Sequence, residues 1–370
     1  MNNFKISQSE IKDAHEAVKS IKEELSGIDA CLVLYFVSSS YPPDTIGKEM
    51  SDAFAGARTV GCTTAGEIIT GKMGYNSIVA MAWVKDSLKE LQIEFLENII
   101  TDSEAVPKAF KSFEASLGKP MKYLDPTQYV GMVIFDGMSR CEETITDQIG
   151  NLTNVPFVGG TAGDDLKFVC TYLFLDGRVY SEGAILLLMK PANGYKILKT
   201  QSCELSGKKI TPTKVDEKKR MVFEFDDKPA ALAYAEAVGV SVDVLPKYFS
   251  ACPLGWVFDE ENIFIRVAQE IKENLSLRFA CSIKEGLELD VLIATDVVTD
   301  TSADLQKANI NDAKAIVDFH CAYRFIELDA KNQMKEYSEL FGKVPAIGFS
   351  TYGESYIGHI NQTSTMLIMK

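Results

Sequence analysis

The stretch from residue 59 to residue 80 contains most of the residues of a phosphate-binding loop. From Gly66 the letters run G-E-I-I-T-G-K-M, which fits G-x-x-x-x-G-K-[ST] except that Met73 replaces the hydroxyl residue that would hold magnesium. A phosphate loop also needs a helix after its lysine, because the helix N-terminus completes the phosphate cradle. After Lys72 come turn residues and an apolar run typical of a strand. We therefore expect another role for this stretch.

The letters of this loop occur twice more in the chain. VGCTTAGE (60–67) and IGFSTYGE (347–354) align without a gap, and VGGTAGD (158–164) is one residue shorter. Each follows a strand-helix-strand pattern and precedes a further strand, which predicts three copies of one unit. The predicted fold class is mixed α/β, with two similar halves built from repeated strand-helix-strand-loop-strand units and mixed sheets. A degenerate fourth copy is suggested by the strand pattern at 221–225 and the helix pattern at 229–238.

Each loop combines small, hydroxyl, glycine and acidic residues in a fixed order. Glycine permits a positive φ or close backbone approach, and successive amides in such a turn can bind an anion. The acid can accept from a cation, so the loops suit a small zwitterion; the alternative is a tight turn whose acid caps nearby amides. The predicted ligand-binding residues of the loops are Thr64, Gly66, Glu67, Thr161, Gly163, Asp164, Thr351, Tyr352, Gly353 and Glu354.

Composition restricts the class of protein and of partner. The 46% hydrophobic and 24% charged content is typical of a soluble globular chain, and 370 residues allow two domains. The net charge of -14 argues against nucleic acid and anionic membranes as partners. No run of about 20 apolar residues and no signal peptide is recognisable, so we expect a cytoplasmic location. The eight cysteines are scattered without a C-x-x-C pair and are predicted to be buried, reduced thiols.

The order of motifs resembles that of the FIST family, the F-box and intracellular signal transduction proteins. VGCTTAGEI, VGGTAGDD and LFLDGRVYSEGAIL are similar to its amino-terminal region, and CPLGW, FHCAYR, IGFSTYGE and NQTSTM to its carboxy-terminal region. With the resemblance starting near residue 30, we predict a FIST N-terminal region at 29–215 and a FIST C-terminal region at 216–370. Residues 1–28 are predicted to hold an amphipathic helix over 9–27 that Ser9 caps.

The resemblance implies a sensory module in signal transduction that binds a small molecule such as an amino acid. Family sensors usually pass their signal to a kinase, cyclase or receptor domain. No such output domain is recognisable in the sequence, so we expect signalling in trans, to a histidine kinase, a cyclase or a chemoreceptor-type protein.

Two departures from the family pattern bear on cofactors. The family usually has Ser-Cys-x-Gly-Arg where this chain has HCAYR at 320–324, and often His-Asn where this chain has Ile360-Asn361, with His359 one residue early. A shift of one residue on a strand turns a side chain to the other face. Some family members bind haem and sense nitric oxide. We expect no cofactor here; His359 and Cys252 are the candidate iron ligands of the haem alternative.

Single residues complete the predicted site. Arg324 is expected to grip the anionic end of the ligand, with a surface ion pair as the alternative, and His359 and Asn361 are further candidate ligand residues. His320, within an apolar strand, is expected to be a satisfied core histidine. We expect no enzyme activity, because H-E-x-x-H and G-x-S-x-G motifs are absent. The remaining enzyme alternative is a Cys or Ser nucleophile, for which the candidates near loops are Cys62, Cys321 and Ser350.

Overall fold

The computed structural model describes residues 3–259 and 262–370. These residues divide into two units. Unit 1 contains the chain up to residue 199 together with residues 302–358 and 364–370, and unit 2 contains residues 200–301 and 359–363. The chain therefore leaves unit 1 after residue 199 and returns to it at residue 302. It passes through unit 2 once more at residues 359–363.

Helices and strands are named here in chain order. The α-helices are α1 (Ala14–Glu24), α2 (Pro43–Ala53), α3 (Ala105–Leu117), α4 (Glu142–Leu152), α5 (Ala230–Val238), α6 (Val297–Ala308), α7 (Ala322–Ala330) and α8 (Met334–Glu339). The strands are β1 (Phe4–Ser9), β2 (Ala30–Ser38), β3 (Arg58–Thr64), β4 (Glu67–Ile69), β5 (Lys72–Gly74), β6 (Ile78–Val84), β7 (Leu88–Leu96), β8 (Val130–Phe135), β9 (Phe157–Thr161), β10 (Leu173–Leu175), β11 (Arg178–Tyr180), β12 (Ala184–Pro191), β13 (Tyr195–Gln201), β14 (Cys203–Ile210), β15 (Pro212–Asp216), β16 (Met221–Phe225), β17 (Lys228–Pro229), β18 (Leu254–Val257), β19 (Ile263–Arg266), β20 (Ala268–Ile271), β21 (Leu277–Phe279), β22 (Leu289–Ala294), β23 (Ala315–Cys321), β24 (Ala346–Thr351), β25 (Glu354–Tyr356), β26 (His359–Ile360) and β27 (Thr363–Met369).

Three copies of the predicted unit form, here called repeat 1 (30–84), repeat 2 (130–191) and repeat 3 (315–369). They lie in unit 1, except that residues 359–363 of repeat 3 belong to unit 2. In each repeat the first two strands are parallel neighbours, and the final strand runs antiparallel to the first. The parallel pairs are β2–β3, β8–β9 and β23–β24, and a helical segment connects the two strands of each pair. The structure thus confirms the mixed α/β class and the repeated unit.

The short strand after each loop pairs with a different repeat. Strand β4 of repeat 1 pairs with β24 of repeat 3, β25 of repeat 3 with β9 of repeat 2, and β10 of repeat 2 with β3 of repeat 1. These pairings form a closed cycle, so each sheet of unit 1 is completed by another repeat. The sheets accordingly contain the strand orders β6-β2-β3-β10, β12-β8-β9-β25 and β27-β23-β24-β4.

The two faces of these sheets pack differently. One face of each contributes to a shared apolar core, for example through Leu34, Met132 and Val317. The opposite face of the repeat 1 sheet packs with residues of α1 and α2, and that of repeat 2 with residues of α3 and α4. In repeat 3, α7 packs against β23 and β24. Strand residues alternate between the shared core and a helix layer, as a period of two requires.

Unit 2 has a different architecture. Its strands form the sheets β14-β22-β18-β19 and β15-β16-β21-β20, and the strands pair antiparallel. The suggested fourth copy begins with β16 and α5, as the patterns indicated, but β16 has antiparallel partners among the described strands. A parallel strand-helix-strand unit therefore does not form there.

The amino-terminal helix is shorter than predicted. Residues 4–9 form β1, which pairs with β6, and α1 starts at Ala14 after Asp13, whose side chain accepts from the Glu16 amide. The predicted amphipathic helix therefore forms over a shorter range. Its predicted start at residue 9 and the Ser9 cap were wrong, because Ser9 ends β1, whose alternating residues find a partner strand. All eight cysteines are free thiols.

The sequence that resembles a phosphate loop forms a hairpin of β4 and β5. Lys72 lies in β5, where its ammonium pairs with Glu10 at 2.7 Å. Gly66, just before the hairpin, has a φ of 145°, and a Cβ there would lie 2.8 Å from Cε1 of Phe325 in α7. The glycine is therefore required by the contact between repeat 1 and repeat 3.

We predict that Gly66→Ala lowers the free energy of unfolding by about 3 kcal/mol, since overpacking and positive φ both add cost. Gly71→Ala is the matched control: Gly71 also has a positive φ of 80°, but a Cβ added there would meet nothing within 4 Å. We expect this control to cost about 1 kcal/mol. Urea unfolding measures both, and equal losses would contradict the packing role of Gly66.

Candidate ligand site

The three loops meet inside unit 1 and hydrogen-bond to one another. Each loop contacts both of the others, so the loops form a closed hub that joins the repeats. Representative contacts between loops are Ser350 N to Gly66 O at 2.8 Å, Gly163 N to Thr63 O at 2.9 Å and Thr351 Oγ1 to Thr161 O at 2.7 Å.

Glu67, the acid of the first loop, is fully buried and held by its own repeat. The Thr64 hydroxyl donates to Glu67 Oε1, and both the amide and the hydroxyl of Ser77 donate to Oε2 at 2.9 Å. Burial raises the pKa of Glu67 to about 8, although these hydrogen bonds act in the opposite direction. In this structure the Glu67 carboxyl acts as a cap for the turn.

Asp164, the acid of the second loop, also caps a turn. Its carboxylate accepts from the amides of residues 168–170 and from the hydroxyl of Tyr352 in the third loop. Burial alone would raise the pKa of Asp164, but the hydrogen bonds from Tyr352 and the amides outweigh burial and hold the pKa below its usual range. Tyr352 therefore links repeat 3 to repeat 2.

The third loop is held mainly by Thr351. Its hydroxyl lies 2.7 Å from both the amide and the carbonyl of Thr161, and the Gly353 amide contacts it at 3.2 Å. Glu354 follows at the start of β25 and is fully buried, opposite Gly160 of β9. The structure thus brings the predicted loop residues together; a ligand-binding role for them stays a prediction.

Two further predicted residues lie in unit 2. His359 and Asn361 are both buried, and the His359 carbonyl accepts from Arg266 Nη1 at 3.2 Å. Their segment contacts the loop before Cys252, because Gln362 Nε2 donates to the Ser250 carbonyl at 2.7 Å. His359 and Asn361 are thus placed in the other unit from the loop hub.

A second polar cluster lies on the helix-facing side of the repeat 3 sheet. Tyr337 of α8 donates to Asp318 Oδ2 at 2.9 Å, and its oxygen lies 3.0 Å from His320 Nδ1. Ser364 donates to the other oxygen of Asp318 at 2.6 Å. All four side chains are fully buried. We call these residues, together with Arg324 and Ser350, the polar layer of repeat 3.

Arg324 contributes the positive charge of this layer. It lies in the first turn of α7 with 1% exposure, so the alternative of a surface ion pair is wrong. Burial raises the pKa of Asp318 to about 6, against the hydrogen bonds of Ser364 and Tyr337 and the charge of Arg324. Burial and the Arg324 charge lower the pKa of His320 well below its usual range, so the imidazole is neutral.

Only part of this polar layer could be predicted from the sequence. His320 lies in the core as expected, but only its Nδ1 has a hydrogen-bond partner, and Asp318 and Tyr337 were missed. The available signal was the D-x-H spacing, which places two titratable side chains on one face of a strand that otherwise reads as apolar. Tyr337 gave no signal, because a tyrosine within a short helix is ordinary.

A solvent-open cleft lies elsewhere in unit 1, near the amino ends of β23 and β24. Its volume is about 580 Å³, and its lining includes Lys314 and Lys343. None of the predicted ligand residues lines this cleft.

Family models match almost the whole chain. The FIST N domain matches residues 31–228, and the FIST C domain matches residues 230–356. The chain belongs to the FIST family. FIST domains are sensory domains of signal transduction, which places this chain in that class. The two FIST models meet at residues 228–230, whereas the boundary predicted from the sequence was 215/216.

One curated relative of this FIST chain is an uncharacterized protein of Methanocaldococcus jannaschii. The two are 27% identical over 125 residues, which is 33% of this chain and 24% of the relative. The match thus spans about a quarter of the relative's own length. In the described residues of this FIST protein, no helix is long and apolar enough to cross a membrane.

The unusual pKa of Glu67 gives a prediction for Glu67→Gln. The folded state retains a proton that the unfolded state releases above about pH 4.5, so the free energy of unfolding of the wild type falls between about pH 4.5 and 8. We expect this slope to exceed that of Glu67→Gln by up to about 1.4 kcal/mol per pH unit. Urea unfolding across this range measures it, and parallel profiles would mean that folded Glu67 is ionised.

Proposed function

We propose that this chain is a cytoplasmic sensory module that binds a small polar molecule, an amino acid or a related zwitterion. In this proposal it signals in trans to a separate output protein, such as a histidine kinase, a cyclase or a chemoreceptor-type protein. The function is recognition rather than catalysis. The family supports the sensory role, and the chemistry of repeat 3 supports the kind of ligand.

The observation that carries the proposal is the burial of Arg324. Withdrawing a guanidinium from water is costly, and proteins retain such a group where it has defined anionic partners. Asp318 provides negative charge nearby, and its pKa responds to Arg324. Because a guanidinium can hold a carboxylate through two hydrogen bonds, Arg324 is suited to grip the anionic end of a small ligand.

The loop hub supports a sensory role in a second way. Phe325, next to Arg324, packs against Gly66 of the first loop, and Tyr352 of the third loop holds Asp164 of the second. A ligand that moves α7 would therefore act on contacts shared by all three repeats. Glu354, the buried acid of the third loop, remains a candidate for a further contact with the ligand.

A haem-based sensor is the alternative that the family suggests. Its candidate ligands fit poorly: burial raises the pKa of the Cys252 thiol, which disfavours the thiolate that iron requires. His359 lies out of the family register. The proposal therefore includes no haem.

A thermal-shift screen of amino acids and small carboxylates tests the proposed function. We expect a stabilising ligand whose affinity falls roughly thirty- to several-thousand-fold in Arg324→Met, because one partner of a desolvated charged contact is lost. Glu354→Gln and Glu67→Gln test whether the loop acids also bind the ligand. The exposed Glu336→Gln of α8 is the matched control and should change almost nothing. Equal stabilisation of all variants would contradict the assigned contacts, and no stabilising compound would contradict the function.

The absorption spectrum of freshly purified protein tests the absence of haem. We expect no Soret band and only nonspecific broadening after hemin addition. A stoichiometric Soret complex that His359→Ala abolishes would select the haem alternative instead.

A further inference from the structure

Strand register allows the three repeats to be compared residue by residue. Gly61, Gly159 and Gly348 each follow the first residue of one loop motif. Each lies opposite one residue of the preceding parallel strand, and a Cβ on the glycine would clash with that residue. The residues opposite these glycines are, in repeat order, Tyr35, Val133 and Asp318. Asp318 therefore occupies a position that packs into an apolar helix layer in the other two repeats.

The next position on the same face shows the same contrast. Two residues along the strand are, in repeat order, Val37, Phe135 and His320, and their antiparallel neighbours are Ile78, Ala184 and Ser364. Only repeat 3 places polar groups at both positions. The position of Ser350 carries a hydroxyl in all three repeats, as Thr63 and Thr161 in repeats 1 and 2. The fold therefore does not require polar groups at the positions of Asp318, His320 and Ser364, which are the groups particular to repeat 3.

Two atoms of the polar layer have unused hydrogen-bonding capacity. Among the described residues, no hydrogen-bond partner is available to His320 Nε2 or to Ser350 Oγ, although both side chains are at most 1% exposed. They are cross-strand neighbours, since His320 of β23 lies opposite Ser350 of β24. Other buried atoms share this condition, Thr365 Oγ1 among them, but His320 Nε2 and Ser350 Oγ are adjacent on one face of the sheet, beside a buried cation.

The tautomer of His320 follows from its neighbours. The single hydroxyl proton of Tyr337 is donated to Asp318 Oδ2, so the 3.0 Å contact with His320 Nδ1 requires Nδ1 to donate. A neutral imidazole carries one N–H, which leaves Nε2 as an acceptor. The polar layer thus presents a cation, a bare acceptor and a hydroxyl.

We infer that the small molecule binds within repeat 3, between the sheet and helices α7 and α8, with its carboxylate on Arg324 and its ammonium donating to His320 Nε2 and Ser350 Oγ. This inference rests on the proposed function and gives it a site. Because these atoms are buried, entry requires α7 and α8 to move relative to the sheet, so binding is coupled to a change that the loop hub can transmit.

The same chain of hydrogen bonds makes binding depend on pH. The charged and titratable groups of the layer are Asp318 and His320 of β23, Arg324 of α7 and Tyr337 of α8. Below about pH 6 Asp318 takes up a proton and can donate to Tyr337, which can then donate to Nδ1 and leave the imidazole proton on Nε2. Nε2 then no longer accepts from an ammonium, so affinity falls as pH decreases through 6.

Calorimetric titration of the full chain with the twenty L-amino acids tests this inference. An amino acid that binds is compared with its deaminated acid and its decarboxylated amine, each of which we expect to bind at least tenfold more weakly. We expect Ser350→Ala to weaken binding about tenfold and His320→Phe, which introduces the repeat 2 residue, about a hundredfold. Affinity should fall further between pH 7.5 and 5.5.

Thr365→Val is the matched control. Thr365 is a buried hydroxyl in the same strand as Ser364, also without a partner among the described residues, but it lies opposite Phe319 on the other face. We expect its affinity to stay within twofold of the wild type. Unchanged binding in Ser350→Ala would overturn the site while leaving the proposed function intact, whereas no binding by wild type would overturn both.

A measurement on wild type alone covers the case in which His320→Phe fails to fold. Nitrogen NMR of the histidine ring at pH 7.5 should show a protonated Nδ1 and a bare Nε2 for His320, with Nε2 shifting when the amino acid is added. A protonated Nε2 would overturn the inference. So would an Nε2 resonance that does not shift when an amino acid binds, which is the result expected if only water contacts His320.

Discussion

Every sheet of unit 1 depends on a strand from another repeat. The exchange of β4, β10 and β25 closes a cycle, so no repeat can complete its sheet alone. The loops that precede these strands must pass one another closely, which explains why glycine, hydroxyl and acidic residues recur there. Glu67 and Asp164 then cap turns through hydrogen bonds from backbone amides. The residues of the loop motif thus serve to join the repeats.

Within this closed cycle, repeat 3 places Asp318 and His320 on the helix-facing side of its first strand, where repeats 1 and 2 have aromatic or aliphatic side chains. A buried Arg324 with Asp318 costs more than the apolar packing that repeats 1 and 2 achieve at equivalent positions. Such local departures from the best packing are expected at functional sites. At the Asp318 position, repeat 3 therefore lacks the apolar packing that the other two repeats have.

The three repeats could be predicted because similar letters recur after equivalent strands. The loop around Gly66 could be distinguished from a phosphate loop because no helix pattern follows Lys72. The pairing of β4 with β24 could not be predicted, because the residues of a loop do not specify which strand its following strand will pair with. Asp318 was missed because one acid in an apolar run changes the periodicity little. Strand β1 was not predicted, because a polar alternating segment becomes a strand only when β6 lies beside it.

Hydrogen exchange with and without a bound amino acid tests the central claim most directly. We expect slower exchange on binding in residues 322–339, which contain α7 and α8. Exchange in α2 and α4, the corresponding helices of repeats 1 and 2, should be unchanged. Protection confined to α2, α4 or unit 2 would contradict the assignment of ligand recognition to repeat 3.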